Sequence, residues 1–555
     1  MRVLASVALS IFSAAVASAQ TVEVAAATSG LDRDVAKGFL TWSGWGGNIF
    51  NNRWALNSKA SSKSVGKLEQ KCKITYDIGV SAVPTLKDDI AYYPTWNGLF
   101  VALNYKNCKV QWQINVTDII YQYAPVTALQ NQFISPVART SPQIDEKAGV
   151  IYFGTLTHSL LIAADLKNGK ILDKIKTHPH ELAIVTHSPT LYQGRLIVGT
   201  SSMEVSAAAI PTYPCCSFVG TVAAFTFDKK KNKFGVAWNM TTLPPPYGPG
   251  GWSGASVWGS QAAIDVKRDQ VVVATGNNYR APASVEACLN ATNNDFSCVP
   301  EGVWLESVLA IDLKSGKINW GFRTNPIDSW TVACGTATSP PTANCPGTPG
   351  VDADFGMGPA FVPGLKGKTP GGKDMLVIGQ KNGNLYGMSA ENGQRFWATA
   401  TSPGGLGGGL SWGVAADLDL AYFTAINSAR LNYTLLPGTE KTAKSSYGAA
   451  KLIDGKIVWM TKTPKDSMAY PPATIANDIV LVARTGNLTP GPFPTPNTAT
   501  GGLILMNKAT GVILQEIDLD AVSYSGVAAQ DDYVMVGTGY NKWQGRGSFY
   551  VFKIK

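Results

Sequence analysis

Along most of the chain, apolar and polar residues alternate with a period of two, in short runs broken by polar turns that contain glycine. The clearest unit is LAIDLKSGKINW, Leu309 to Trp320. Variants read IAADLKNGKILD (162–173), MSAENGQRFW (388–397), KLIDGKIVW (451–459) and LMNKATGVIL (505–514). Weaker copies are VALNYKNCKVQW (101–112) and VAAFTFDKKKNKFGVAW (222–238). Each joins an alternating strand, a polar turn and a second strand that often ends in Trp, which predicts a β-hairpin. Gly169, Gly316, Gly393, Gly455 and Gly511 supply the backbone freedom of the turn.

Another strand pair lies just upstream of most copies, as in QVVVATGNNY or MLVIGQKNGNLYGMSA. One unit is then about four strands over roughly 50–80 residues, near the spacing of propeller blades. Seven copies are present, and the C-terminal GSFYVFKIK has the strands of an eighth without its turn. The pattern predicts an all-β protein, a single eight-bladed β-propeller over residues 20–555, with seven blades as the alternative. Such a ring closes by pairing its last strand with one from the N-terminus, and TWSGWGGNIFNNRWA (41–55) is the candidate. Trp112, Trp238, Trp320, Trp397 and Trp459 are expected to pack between blades, and the Gly/Pro-rich stretches 243–251, 335–350 and 489–502 to form long surface loops.

Composition narrows the setting. Only 15% of residues are charged, and the net charge of +9 is spread along the chain. The one basic run, Lys229-Lys230-Lys231, reads as a solvated turn, so no nucleic-acid partner is expected. Arg2, the apolar run Val3–Val16 and Ala17-Ser18-Ala19 read as a secretory signal cut after Ala19. No later run approaches a membrane span, so a secreted protein is expected. Five sequons, at Asn115, Asn239, Asn290, Asn432 and Asn487, fit a glycosylated export product.

Eight cysteines follow the signal, and their spacing suggests local pairs: Cys72 with Cys108, Cys215 with Cys216, Cys288 with Cys298, Cys334 with Cys345. Spacing alone does not fix that connectivity. The adjacent Cys215 and Cys216 either close a small ring together, pair elsewhere, or remain buried thiols. No CxxCH or paired CxxC supports a covalent haem or a zinc site. No phosphate-binding loop, dinucleotide fingerprint or nucleophile elbow is present. His178-Pro179-His180 lacks a third metal ligand, while His187 stands beside Thr186.

The hairpin unit resembles the repeat of the pyrroloquinoline quinone (PQQ) dehydrogenases, the quinoprotein alcohol dehydrogenase superfamily. The stretches between repeats are more specific. SSMEVSAAAIPTYPCCSFVGTVAAF, GGWSGASVWGSQAAIDVKRDQVVVATGNNY, DSWTVACG with its later NCPG, VDADFG and VIGQKNGNLYGM resemble the polyvinyl-alcohol-dehydrogenase-like branch. The likeness runs from about Thr41 to the C-terminus.

That resemblance implies a residue set. Cys215 and Cys216 would form a vicinal disulfide on one face of PQQ, with Trp258 of SVWGS on the other. In methanol-oxidising relatives the cysteine pair precedes the arginine matching Arg139, whereas here it follows Glu204. Glu204 and Asn277 match calcium ligands, as hard oxygen donors should. Arg139, Thr186 and Ser201 match groups that hold the cofactor carboxylates and carbonyls, and Lys381 matches the basic residue near the reactive carbonyls. Trp412 of LSWG matches an edge aromatic, with Ser411 where the family has asparagine. The family's catalytic aspartate falls on Thr331, which cannot act as a base. Asp328 is the expected substitute, with Asp352 and Asp354 of VDADFG as other candidates. Ala333 stands where lanthanide-using relatives carry an extra acid.

The implied function is a secreted dehydrogenase that oxidises a small or polymeric alcohol, secondary alcohols or polyols, with PQQ and Ca2+ and an external electron acceptor. The alternative is a non-catalytic extracellular propeller that acts as a binding or scaffold module, which the missing aspartate favours.

Overall fold

The computed structural model describes residues 39–335, 340–489, 500–541 and 545–555; the expected signal segment, 1–19, lies outside them. Eight antiparallel sheets form a ring of blades, seven with four strands and blade 3 with a short fifth strand, Ala183–Ile184. They span residues 85–115, 143–176, 183–241, 263–323, 360–400, 415–462 and 474–518 for blades 1 to 7. Blade 8 takes Ala528–Gln530, Tyr533–Gly537 and Gly547–Ile554 from the C-terminus and its outermost strand, Leu68–Tyr76, from the N-terminus. Eight blades, not seven, is the observed number.

The repeated turn explains itself at atomic level. In blade 4 the Asp312 carboxylate accepts the backbone N–H groups of Lys314 and Ser315 at 3.2 and 2.7 Å. The Gly316 N–H then returns to the Asp312 carbonyl at 2.9 Å. Gly316 holds φ at 73°, open to glycine and costly for other residues. Asn507 and Gly511 repeat the arrangement in blade 7.

The hairpin tryptophans dock onto the same turns, one blade on. The indole N–H of Trp238 donates to the Leu313 carbonyl at 3.0 Å, that of Trp397 to Leu452 at 2.8 Å and that of Trp459 to Lys508 at 2.9 Å. Each ring lies flat against the next turn's glycine. A Cβ on Gly393 would sit 2.4 Å from the Trp320 ring, and one on Gly455 2.6 Å from that of Trp397. The glycine is thus needed twice, for its φ and for the flat surface it leaves.

Closure departs from expectation. The closing strand is Leu68–Tyr76, not 41–55. Residues 41–59 cross the axis instead and hydrogen-bond the inner edges of six blades. Backbone N–H groups of Leu86, Ile264, Phe361 and Ala416 donate to the carbonyls of Trp42, Ile49, Phe50 and Asn52, and Ala55 donates to Ile475. Trp42 donates to the Gln530 side chain in blade 8. Arg53, fully buried, anchors this segment: its guanidinium donates to the carbonyls of Trp45, Ala473 and Val527 and to the Thr474 hydroxyl. Its charge also faces the rings of Trp42 and Trp45 at 5.4 and 5.9 Å. Burial pushes its pKa down to about 9. The strand period predicts a strand in 41–55 because nothing in alternation separates a sheet strand from a channel filler.

All four local cysteine pairs are bonded. Cys72–Cys108 ties the closing strand of blade 8 to a turn of blade 1. Four of the five sequon asparagines are exposed, and Asn487 is half-buried. No helix among the described residues is long and apolar enough to cross a membrane.

Gly393→Ala should destabilise the protein by about 2–4 kcal/mol through strain and overpacking against Trp320. Gly367→Ala, whose Cβ meets nothing within 4 Å, should lose only the smaller backbone part; thermal melts compare the two. Replacing both Cys72 and Cys108 with serine should lower stability by about 2–4 kcal/mol, seen as an earlier urea transition of the seam.

Candidate active site

Where the axial segment meets the upper loops, the ring encloses a cavity of about 370 Å³. Arg139, Thr186, Ser201, Trp258, Asn277, Lys381 and Trp412, drawn from six parts of the chain, all line it. The two indole rings meet edge to face, with centroids 5.4 Å apart. A cation stands over each: the Lys381 ammonium 5.2 Å from the Trp258 ring and the Arg139 guanidinium 5.2 Å from the Trp412 ring. Arg139 also donates to the Tyr540 hydroxyl at 3.1 Å. The Thr186 and Ser201 hydroxyls bond each other at 2.8 Å.

Trp412 is held by the axial segment, since the Trp45 indole N–H donates to its carbonyl at 2.7 Å. Its φ of 73° is a left-handed conformation that a bulky residue adopts at a cost of about 1–3 kcal/mol. Trp258 is gripped edge-on by glycines: a Cβ on Gly356 would come within 2.8 Å of its ring.

The acids of the cavity are Asp352 and Asp354. Each binds the Lys381 ammonium at 2.8 Å. Asp354 also accepts the Asn277 backbone N–H at 2.5 Å. Burial alone would lower the Lys381 pKa, but the two carboxylates outweigh it and hold the lysine well above its ordinary value. Burial pushes Asp352 well up from the ordinary carboxylate range, with Asp354 and Asp328 adding to the rise against Lys381. Asp352 and Asp354 lie two residues apart, and with Asp352 in a left-handed conformation (φ 60°) both side chains reach the same ammonium. The sequence reading places Asp328 ahead of them, and the pairing of two acids in VDADFG is the signal that could have reversed that order.

Four expected residues lie outside the lining. Asp328 is buried behind it, where its carboxylate accepts the N–H groups of Asp352 and Ala353 at 3.1 and 2.7 Å. It thereby holds up the segment that carries the two cavity acids. The Glu204 carboxylate is wholly buried and accepts the Tyr213 hydroxyl and the backbone N–H groups of Ser217 and Phe218. Cys215 and Cys216, bonded to each other, pack with Phe218 and Tyr279 in an apolar cluster behind the wall. Tyr279 and Val205 stand on the cavity side of that cluster. Cys345, bonded to Cys334, packs against the same cluster. The side-chain N–H groups of Asn344 donate to the carbonyls of Ala208, Ile210 and Tyr213 at 3.0–3.1 Å. Sequence reasoning missed Tyr540, Tyr279 and Trp330 in the lining. Aromatic residues at strand ends carry no mark that separates a site from a core.

The histidines are structural in their contacts. His187 is buried behind Thr186, and its Nδ1 accepts the Gly199 N–H at 3.2 Å. His180 bonds Glu204, and His178 accepts the His180 N–H. No cluster of three or more His, Cys, Asp or Glu suited to a metal ion occurs among the described residues.

No family model matches the chain. A polyvinylalcohol dehydrogenase of a Pseudomonas species is 27% identical over 514 residues, which cover 90% of this chain and 71% of that protein. The polyvinylalcohol dehydrogenase of Sphingopyxis sp. (strain 113P3) is 27% identical over 387 residues, 68% of this chain and 53% of that one. The chain is thus similar to polyvinylalcohol dehydrogenases and, more distantly, to quinone-dependent alcohol dehydrogenases. Quinohemoprotein alcohol dehydrogenase from Comamonas testosteroni shares its fold, with a TM-score of 0.65 over 97% of this chain and 84% of the other at 16% identity. Against the curated relatives this quinoprotein-type propeller is short, spanning about half to seven tenths of their length.

His187 and His178 give the protein an acid limit. Burial pushes both down to about 4 from an ordinary value near 6.5, with His180 also acting on His178. The unfolded chain therefore binds more protons between those values, so stability is full above about pH 6.5 and falls as pH drops toward about 4. His187 alone should remove on the order of 3 kcal/mol by pH 4. Melting temperatures across pH 4–7.5 should show this slope, and His187→Gln should flatten it.

Proposed function

We propose that this chain is a PQQ-dependent alcohol dehydrogenase that oxidises a secondary alcohol or polyol and passes electrons to an external acceptor. The observation that carries the reading is the convergence of Arg139, Thr186, Ser201, Trp258 and Lys381 on one cavity. PQQ is flat and carries three carboxylates, and the cavity offers an indole face between two cations, with paired hydroxyls on its wall. These residues fit the quinone. Calcium does not fit the Glu204–Asn277 pair as folded, because the Glu204 oxygens are taken by N–H and O–H donors outside the lining. No step is routed through a metal.

PQQ, when bound, supplies the two-electron acceptor. The chain's own residues supply position and a proton acceptor. Trp258 and Trp412 fix the plane and the edge, Arg139 neutralises carboxylate charge, and Lys381 places positive charge where negative charge develops. The alcohol proton goes to the Asp352–Asp354 pair that Lys381 bridges. Asp354 is the member beside Trp258: a Cβ on Gly276 would meet both Asp354 Oδ1, at 2.3 Å, and Trp258 Nε1, at 3.3 Å. Export and glycosylation of the mature chain fit the exposed sequons and the four disulfides.

The second reading, a non-catalytic propeller, is favoured by one observation: Glu204 does not face the cavity. Titration of the full chain with PQQ, with dye-linked oxidation of a panel of secondary alcohols, separates the two. Saturable binding with turnover is expected, with Trp258→Ala weakening PQQ at least tenfold. Asp354→Asn should cut kcat at least a hundredfold while PQQ affinity holds within a few-fold. Binding without turnover on the whole panel favours the non-catalytic reading, and absence of PQQ binding refutes the quinoprotein assignment.

A further inference from the structure

Glu204 is the first residue of a single helical turn, Glu204–Ala207, between the blade 3 strand Arg195–Ser202 and the loop that carries Cys215–Cys216. Its side chain is fully buried, and its contacts run to that loop and to His180. Oε1 accepts the Tyr213 hydroxyl at 2.9 Å and the Ser217 N–H at 2.9 Å. Oε2 accepts the Phe218 N–H at 2.8 Å and shares the Ser217 N–H at 3.0 Å. His180 adds a further donor. Its Nδ1 accepts the Leu182 N–H at 3.1 Å, which leaves the ring proton on Nε2, 3.3 Å from Glu204 Oε1.

A carboxylate offers about four lone-pair positions. Two backbone N–H groups, a phenol and an imidazole fill them here. These donors flank the disulfide on both sides, Tyr213 before it and Ser217 and Phe218 after it. A cation at these oxygens would face the positive ends of the same N–H dipoles and would have to displace them.

We propose that Glu204 is a positioning residue that pins the Cys215–Cys216 loop to blade 3, and that it is not a ligand of any cation held in the cavity. Asn344 grips the same loop from the other side through three carbonyls, so the segment 208–218 is held by a buried acceptor on one flank and a buried donor on the other. The wall formed by Val205 and Tyr279 rests on this double grip. The inference concerns the architecture of the chain and stands whether or not it turns over an alcohol.

Glu204→Gln tests it in the full chain without PQQ. Two quantities are read: hydrogen exchange at the Ser217 and Phe218 amides, and Tb3+ affinity from tryptophan-sensitised luminescence. Gln puts an N–H against donors that need an acceptor, so exchange at both amides should rise at least tenfold while Tb3+ affinity changes less than threefold. If the parent protein binds no Tb3+, the exchange result decides alone. A threefold or greater loss of Tb3+ affinity overturns the proposal, and so does unchanged exchange. Tyr213→Phe, which keeps the carboxylate and removes one donor, guards against a misfolded variant. It should raise exchange at the two amides by a smaller factor with Tb3+ affinity unchanged, and a Tb3+ loss in this variant also overturns the proposal.

Discussion

A ring of eight sheets leaves a hole at its centre, and in this protein a single buried arginine keeps that hole filled. Arg53 has no acidic partner among its contacts; its donors end on three carbonyls and a hydroxyl from the first, seventh and eighth parts of the chain. The charge survives burial because those carbonyl dipoles and two indole faces take the place of water. From that anchor, residues 41–59 satisfy inner-strand N–H and C=O groups that have no sheet neighbour of their own. The inner strands are short, three residues in most blades, and their register around the axis is fixed by this segment.

The site inherits its rigidity from the same source. Trp45 of the axial segment holds the carbonyl of Trp412, Trp412 meets Trp258 edge to face, and Trp258 lies under Lys381. On the far side of Lys381 the charge balance turns negative. Glu306, Asp328, Asp352 and Asp354 are all buried there, and only the last two pair with Lys381. Burial and the neighbouring Asp328 hold Glu306 well above the ordinary carboxylate range, as burial does for Asp352. Burial thus favours the protonated forms of Glu306 and Asp352 behind and beside the cavity.

The ring and its blade contacts were legible because they are local. An Asx residue, a glycine four on and a tryptophan at a strand end are all set by neighbours in sequence, and Asp312, Gly316 and Trp320 behave as their spacing says. The local cysteine pairs were legible for the same reason. The site was legible only where it is carried by the strand ends that resemble known relatives, as with Arg139, Lys381 and Trp258. It failed where a loop intervenes. Asp328 and Thr331 precede the Cys334–Cys345 disulfide, and the acids that line the cavity, Asp352 and Asp354, follow it. Glu204 failed for a different reason: its partners, Ser217 and Phe218, donate backbone groups, which no residue identity announces.

The axial segment also sets an order of events. Trp42 bonds Gln530 across 488 residues, and Arg53 bonds Val527 across 474. Contacts this distant form late, because the intervening chain must be in place first. During synthesis the tryptophan-rich stretch precedes all eight blades and gains its partners from blade 1 through blade 8 in turn. Completion of the propeller is thus an event of the whole chain. A ribosome that stalls before residue 527 releases a product in which Trp42 and Arg53 lack their last partners, Gln530 and Val527.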